Sequence, residues 1–387
     1  MKSIGFIPLR KDSKGIKGKN KRKLLGRPLF SWVLTEAAFS KLDEVFVYTD
    51  DEEIIKFISQ QYSWNSKIKV LQRSAKSATD EASTETAILE FSEKISYGFD
   101  VFCLLQATSP FTTRIEINKT LEEIKSGMDS ALSVVRTQRF FWDKDGKPIN
   151  YDFRERPRRQ DFKGTLVENG AIYCTTSKAL RKSKCRISGD IGLIEMPEDS
   201  YTEIDSVTDW NIVENLLLQR LQSERNPSRI THLFLDVDGI FTDGRVLYSE
   251  NGEFAKVFDM RDGMGLEILR QDNIEVSVMT SENSALVAAR MKKLNIGKVY
   301  LGVKDKLGML QHLSLTQNID LNNIAYLGDD VNDMTCMAGA GWSICPNNAM
   351  EEIKRISDII LTSDSGSGAI REACRFITKY NKRFERI

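Results

Sequence analysis

Short runs of β-branched and aromatic residues, SIGFIP, EVFVYT, KIKVL, DVFCLLQ and DSALSVV, recur along the first part of the chain. Between them PLFSWVLTEAAFS, DEEIIKFISQQ and TETAILEFSEKI place apolar residues at helical spacing. This alternation predicts a parallel sheet with crossover helices. A last helix, VTDWNIVENLLLQRLQSE, runs into RNPSR, where proline and polar residues break the pattern. A second series starts at THLFLDVDG and continues through IEVSVMT, KVYLG, NIAYLGDD, GWSIC and DIILT. Within it YSENGEF, with Asn251-Gly252 between extended runs, signals a hairpin. The expected fold class is therefore α/β, with two tandem parallel-sheet domains, 1–225 and 226–387, divided near Asn226.

The length of 387 residues agrees with this division. Basic and acidic residues balance at 55 each, so no overall field draws the chain to nucleic acid or to a membrane surface. Any basic function must be local. Six scattered cysteines without zinc-ligand spacing predict reduced thiols. His232 and His312 lack neighbours of other ligand types, which disfavours histidine triads and histidine-metal clusters. No apolar run reaches membrane-spanning length, and the opening MKSIGFIPLR is too short for a signal peptide. The expectation is a soluble, cytoplasmic protein.

In HLFLDVDGIFTDG, Asp236 and Asp238 follow a buried-strand pattern and precede a glycine. Spaced by two, both carboxylates face one side at the carboxyl end of a strand, where open α/β sheets place their sites. Their repulsion calls for a divalent cation, although a lone pair of this kind reads equally as a solvated loop. Thr280, Lys306 and the aspartates 329, 330 and 333 of YLGDDVND then follow in order. Together these elements resemble the four motifs of haloacid dehalogenase superfamily phosphatases. The resemblance implies Asp236 as nucleophile, Asp238 as acid and base, and Thr280 and Lys306 as holders of the phosphoryl group. It also implies a magnesium site from Asp236, the Asp238 carbonyl and Asp329, supported by Asp330 or Asp333. Only 43 residues separate Asp236 from Thr280, which leaves no room for a large cap. VFDMRDGMG and GSGAIREAC are similar to the capless subgroup acting on phosphates of eight- and nine-carbon 2-keto-3-deoxy sugar acids, usually tetramers. Arg261 and Asp262 are then candidates for a substrate-facing wall.

Near the start, PLRKDSKGIKGKN carries Arg10, Lys14, Lys17 and Lys19 around Gly15 and Gly18, which lets backbone and charge approach an anion. It is not a Walker loop, and alone it reads equally as a solvated turn. Taken with LLQATSPFTT, ENGAIYC and EIDSVTDW, it resembles the motifs of the CMP-sialic acid synthetase family over residues 1 to about 220, which implies a nucleotide-diphospho-sugar transferase-like fold. On that resemblance the loop, with Arg10, Ser13, Lys19 and Asn20, holds the triphosphate of CTP. Arg73, Ala82 and Thr84 recognise cytidine. Gln106, Thr108, Ser109, Asn169 and Gly170 line the sugar side, and Glu203 and Asp205 hold magnesium. Lys11, Asp12, Ala107 and Glu203 depart from the family pattern. Arg158 or Arg159, in an arginine-rich insertion, is a candidate for the sugar carboxylate and reads equally as solvated surface.

The two resemblances fit consecutive steps: a phosphatase frees a sugar acid that the cytidylyltransferase activates, with Mg2+ at both sites and a homotetramer expected. The alternatives are the eight-carbon Kdo pathway, a second domain retired to oligomerisation, and a nucleotide-sensing module. The intact motif residues oppose the last two.

Overall fold

In the computed structural model the opening apolar run becomes the strand Ser3–Leu9, paired in parallel with Glu44–Thr49 on one side and Val101–Leu105 on the other. The structure describes residues 1–11, 15–79 and 81–384. It divides into one unit of 1–22 and 28–213 and a second of 23–27 and 214–387.

In the first unit seven strands lie in the order Ile68–Gln72, Glu44–Thr49, Ser3–Leu9, Val101–Leu105, Thr165–Thr176, Ser130–Thr137, Ile191–Met196. Ser3–Leu9, inside the sheet, is buried on both faces, as a continuous apolar run in a helix-covered sheet should be. Ile7 and Leu9 pack with Val33, Leu34 and Ile117 on one side. On the other, Ile4 and Phe6 meet Tyr48, Phe91 and Phe102, with ring centroids 4.7 Å apart between Phe6 and Phe91. Burial of these side chains is the main stabilising term, about 1.5–3 kcal/mol for each large residue fully removed from water.

The sheet is mostly parallel, as expected, with one exception: Thr165–Thr176 runs antiparallel to both of its neighbours. The chain reaches it from Thr137 through residues 138–164, without a crossover helix, so it returns alongside Ser130–Thr137 as hairpin partners do. The edge strand Ile191–Met196 alternates exposed and buried residues, as its single covered face requires. Helix Arg114–Lys125 opens on a capping box in which Thr113 and Glu116 satisfy each other's end of the first turn.

The second unit has a six-stranded parallel sheet in the order Lys298–Tyr300, Glu275–Met279, His232–Leu235, Ile324–Leu327, Trp342–Cys345, Ile359–Ile360. Strands follow His232–Leu235 first on one side and then on the other, so its carboxyl end is a topological switch point. Leu247–Ser249 and Gly252–Ala255 form the expected hairpin, with Ser249 opposite Gly252. Its apolar residues are exposed, Tyr248 at 74% and Phe254 at 68%. The early segment Lys23–Arg27 belongs to this unit, where Arg27 and Asp305 form a buried ion pair of 2.8 Å. Asp305 also caps the helix Lys306–Gln317 by accepting from the Gly308 amide. All six cysteines are free thiols. Among the described residues no helix is long and apolar enough to cross a membrane.

Candidate functional site

Each unit carries a polar cleft at the carboxyl end of the first strand of its large sheet, Ser3–Leu9 in one and His232–Leu235 in the other. In the first, a cavity of about 430 Å3 is lined by Arg10, Lys19, Asn20, Arg73, Ala82, Thr84, Gln106, Thr108, Glu203 and Asp205. These ten come from six separate stretches and were singled out in the sequence; Pro8, Thr79 and Ala87 complete the lining. The Asn20 amide donates to the Arg10 carbonyl at 3.0 Å. Buried Lys19 donates to the Ile204 carbonyl at 2.7 Å and pairs with Asp205 at 3.1 Å. Burial, and then the neighbouring Asp205 charge, push the Glu203 carboxyl up to about 7 against the pull of Lys19. Two carboxylates held this way, one of them reluctant to ionise alone, suit a divalent cation as the missing counter-charge.

Five predicted residues do not form the cavity wall: Asn169, Ser109, Gly170, Arg158 and Arg159. Asn169 is 1% exposed and works as a strut: its carbonyl accepts from Ser133 at 2.6 Å, and its amide donates to the Ser200 hydroxyl at 3.2 Å. Ser109 is buried, and its carbonyl accepts from Thr112. Gly170 has φ +66, and a Cβ there would overlap the Glu203 carboxylate. Its want of a side chain is what lets Glu203 take its place. Arg158 and Arg159 are exposed and lie outside the lining. Ser13 falls outside the described residues.

A network missed in the sequence holds Arg73. Glu90, on the helix that begins at Thr84, accepts from the Ser74 hydroxyl at 2.6 Å and from Tyr48. Ser74 in turn bonds Ser77, and the Ser77 carbonyl accepts from the Arg73 guanidinium. Burial works against the Glu90 charge, but the bonds from Ser74 and Tyr48 hold its carboxyl down to about 2. On the resemblance that assigns Arg73 to cytidine, Glu90→Gln is expected to raise the KM for the nucleotide about tenfold, the worth of one charge-assisted hydrogen bond. Because the folded carboxyl titrates below its ordinary 4.5, its stabilisation is complete above that pH and is lost as pH falls through about 2. The melting-temperature difference between wild type and Glu90→Gln should therefore shrink below pH 4.5. A difference constant down to pH 2 would count against this network.

In the second unit a cleft of about 310 Å3 is lined by Asp236, Asp238, Thr280, Asp329 and Asp330, with Gly239, Ser281, Glu282 and Asn332 beside them. Lys306, 2% exposed, lies 2.9 Å from Asp236 and 2.7 Å from Asp333. Burial opposes the Lys306 charge, but the two carboxylates hold it protonated. Tyr326 donates to Asp333 at 2.9 Å. Of the two residues proposed to support the metal, Asp333 is the one in the cluster: carboxylate oxygens of Asp236, Asp329 and Asp333 lie within 4.8 Å of one another. Burial and mutual repulsion push Asp236 up to about 7 and Asp329 up to about 8. Asp329 Oδ1 and Asp333 Oδ2 are buried without a hydrogen-bond partner. Orphaned hard oxygens around one point fit a magnesium-like cation. Gly239 has φ +83, and a Cβ there would fall on the Asp329 carboxylate.

The expected wall of Arg261 and Asp262 is not in this cleft. Asp262 is 1% exposed and accepts from the Arg371 amide at 3.0 Å, tying helix Met260–Gln271 to Ala369–Asn381. Burial pushes its carboxyl up to about 6. Exposed Arg261 pairs with Asp259. The sequence reading also missed Lys256, whose buried ammonium donates to Asp238 at 2.6 Å.

Comparison with known proteins gives matches to both units. A cytidylyltransferase family model matches residues 4–178, and a haloacid dehalogenase-like hydrolase model matches 268–373. The chain is 32% identical to N-acylneuraminate cytidylyltransferase B of Danio rerio, over 98% of this chain and 91% of that protein. It is 33% identical to N-acylneuraminate cytidylyltransferase of Oncorhynchus mykiss, over 98% and 89%. Over 37% of this chain and 79% of the relative, it is 34% identical to the 3-deoxy-D-manno-octulosonate 8-phosphate phosphatase of Haemophilus influenzae.

Proposed function

Because the chain belongs to the N-acylneuraminate cytidylyltransferase family, we propose that its first unit joins CTP to a nine-carbon 2-keto-3-deoxy sugar acid, releasing pyrophosphate, while its second removes phosphate from the corresponding sugar-acid phosphate. The observation that carries this reading is the convergence of ten motif residues on one cavity and of five, Asp236, Asp238, Thr280, Lys306 and Asp329, on another.

In the first cavity Arg10, Lys19 and Asn20 hold the triphosphate, and Arg73, Ala82 and Thr84 hold cytidine. Gln106 and Thr108 face the sugar acid, whose anomeric hydroxyl attacks the α-phosphorus. Asn169, Ser109 and Gly170 act one layer behind: Asn169 braces Ser200, Ser109 bonds the Asn169 carbonyl, and Gly170 leaves the space that the Glu203 carboxylate occupies. Magnesium held by those two acids would neutralise charge gathering on the pyrophosphate leaving group. No protein nucleophile is needed.

In the second, Asp236 attacks phosphorus and Asp238 protonates the departing sugar alkoxide, then takes a proton from the water that cleaves the aspartyl phosphate. Thr280 and Lys306 orient the transferring group, and Lys306 also offsets the charges of Asp236 and Asp333. Asp236, Asp329 and Asp333, with the Asp238 carbonyl, would hold magnesium, which would offset the phosphoryl charge.

The exposed apolar residues of the hairpin and of the insertion, Tyr248, Phe254, Trp142, Ile149 and Phe153 among them, support a symmetric oligomer, with a homotetramer in the cytoplasm as our reading. A substrate panel tests the whole proposal. Pyrophosphate should appear with CTP and a nine-carbon acid, and phosphate should appear from its 9-phosphate without CTP. Equal rates with UTP or ATP would overturn the cytidine assignment. Preference for eight-carbon acids in both assays would move the protein to the Kdo class, and absence of phosphate release from either acid phosphate would leave the second unit a scaffold.

A further inference from the structure

Lys256 follows the strand Gly252–Ala255, and its side chain is 1% exposed although most of the hairpin's apolar residues face solvent. Its ammonium donates to Asp238 Oδ1 at 2.6 Å and lies 3.0 Å from Glu253. Glu253 accepts in turn from the hydroxyl of Ser284, which caps the helix Ala285–Lys293 through the Val287 amide. A buried lysine with two anionic partners is a costly arrangement to place at the base of an exposed hairpin, and breaking it would leave charges without counter-charge. What the triad holds is the carboxylate that reaches into the cleft.

We propose that Lys256 is a positioning residue for the phosphatase reaction, aiming the carboxyl of Asp238 at the leaving-group oxygen. The proposal rests on the reading of Asp238 as general acid. With Lys256 occupying Oδ1, the proton of the acid form sits on Oδ2. Glu253 balances the lysine charge, so Asp238 meets a neutral pair rather than a bare cation. In the step concerned, a bond forms between an Asp236 oxygen and phosphorus, the bond from phosphorus to the sugar oxygen breaks, and the Asp238 proton passes to that oxygen. Orientation matters here because proton transfer must coincide with bond breaking. The hairpin thereby becomes part of the catalytic apparatus: it delivers the group that sets the acid's direction.

The test uses leaving groups. A sugar alkoxide needs the proton, whereas p-nitrophenolate departs without one. In the full-length protein with magnesium, kcat/KM reports steps up to formation of the aspartyl phosphate. Lys256→Met should lose about 10²-fold in kcat/KM on a nine-carbon sugar-acid 9-phosphate but less than about threefold on p-nitrophenyl phosphate. Lys256→Arg, which retains a donor, should recover much of the loss. Retained turnover of the aryl phosphate shows in the same sample that the site is folded. An equal loss on both substrates in Lys256→Met, or no loss on the sugar phosphate, overturns the positioning role. Asp238→Asn separates the two ideas. If it too discriminates between the leaving groups, the acid assignment stands and the result for Lys256 decides the proposal; if it loses both activities equally, the acid assignment falls and takes the proposal with it.

Discussion

Asp236→Asn will release no measurable phosphate from a nine-carbon sugar-acid 9-phosphate, a loss on the order of 10⁴-fold or more, while cytidylyl transfer from CTP proceeds at the wild-type rate. The substitution keeps the shape of the side chain but removes the attacking oxyanion, and losses of a nucleophile fall on this scale. It also takes one of three clustered carboxylates from the candidate metal site, so magnesium should raise the melting temperature of the wild type through this unit but not that of the variant. The fold should tolerate the change, since Lys306 keeps its 2.7 Å partner in Asp333 and the neutral amide relieves repulsion among buried acids. Assaying both activities on one preparation checks this. Loss of both in a folded protein would show that the two chemistries share a step.

Lys19→Ala should lower kcat/KM for CTP by about 30–1,000-fold, the 2–4 kcal/mol associated with one preorganised electrostatic donor. The ammonium stands at the meeting of two tasks. It is aimed into the cavity that would receive the triphosphate, and it holds the Ile204 carbonyl and Asp205, which set the placement of the two acids on either side. Removing it also takes away the one named attraction that keeps the Glu203 carboxyl from rising further. The phosphatase rate of the same variant should be unchanged. A loss under about threefold in pyrophosphate release would place the triphosphate elsewhere.

Much of this was legible in the sequence because the relevant information is local. Runs such as SIGFIP and HLFLD read as strands from their apolar pattern, and acids just after such a strand fall at its carboxyl end. The antiparallel Thr165–Thr176 was harder, since direction depends on how the chain returns from an irregular excursion, and no periodicity encodes that. The positioning of Arg73 by Glu90 escaped because three hydrogen-bonding side chains from separate elements meet only in the folded chain. Asn169 and Asp262 were assigned to walls for the opposite reason: a polar residue in a motif reads as facing ligand, whereas both lie within the core and satisfy neighbouring polar groups. Lys256 had no sequence signal beyond one lysine after a hairpin, and its importance appears only through the 2.6 Å approach to Asp238.

The membership of Lys23–Arg27 in the second unit bears on how such a protein can be taken apart. A polypeptide severed at the proline-containing break near Asn226 leaves a carboxyl-terminal piece that carries every phosphatase motif yet lacks Arg27. Asp305, at the head of the helix that presents Lys306, would then lose its 2.8 Å ion pair with Arg27, and removing one partner of a buried pair costs about 3–5 kcal/mol. A cassette drawn from sequence boundaries alone would therefore inherit a weakened foundation directly beneath its catalytic lysine. Genetic separation of the two activities is better sought by point substitution than by scissors.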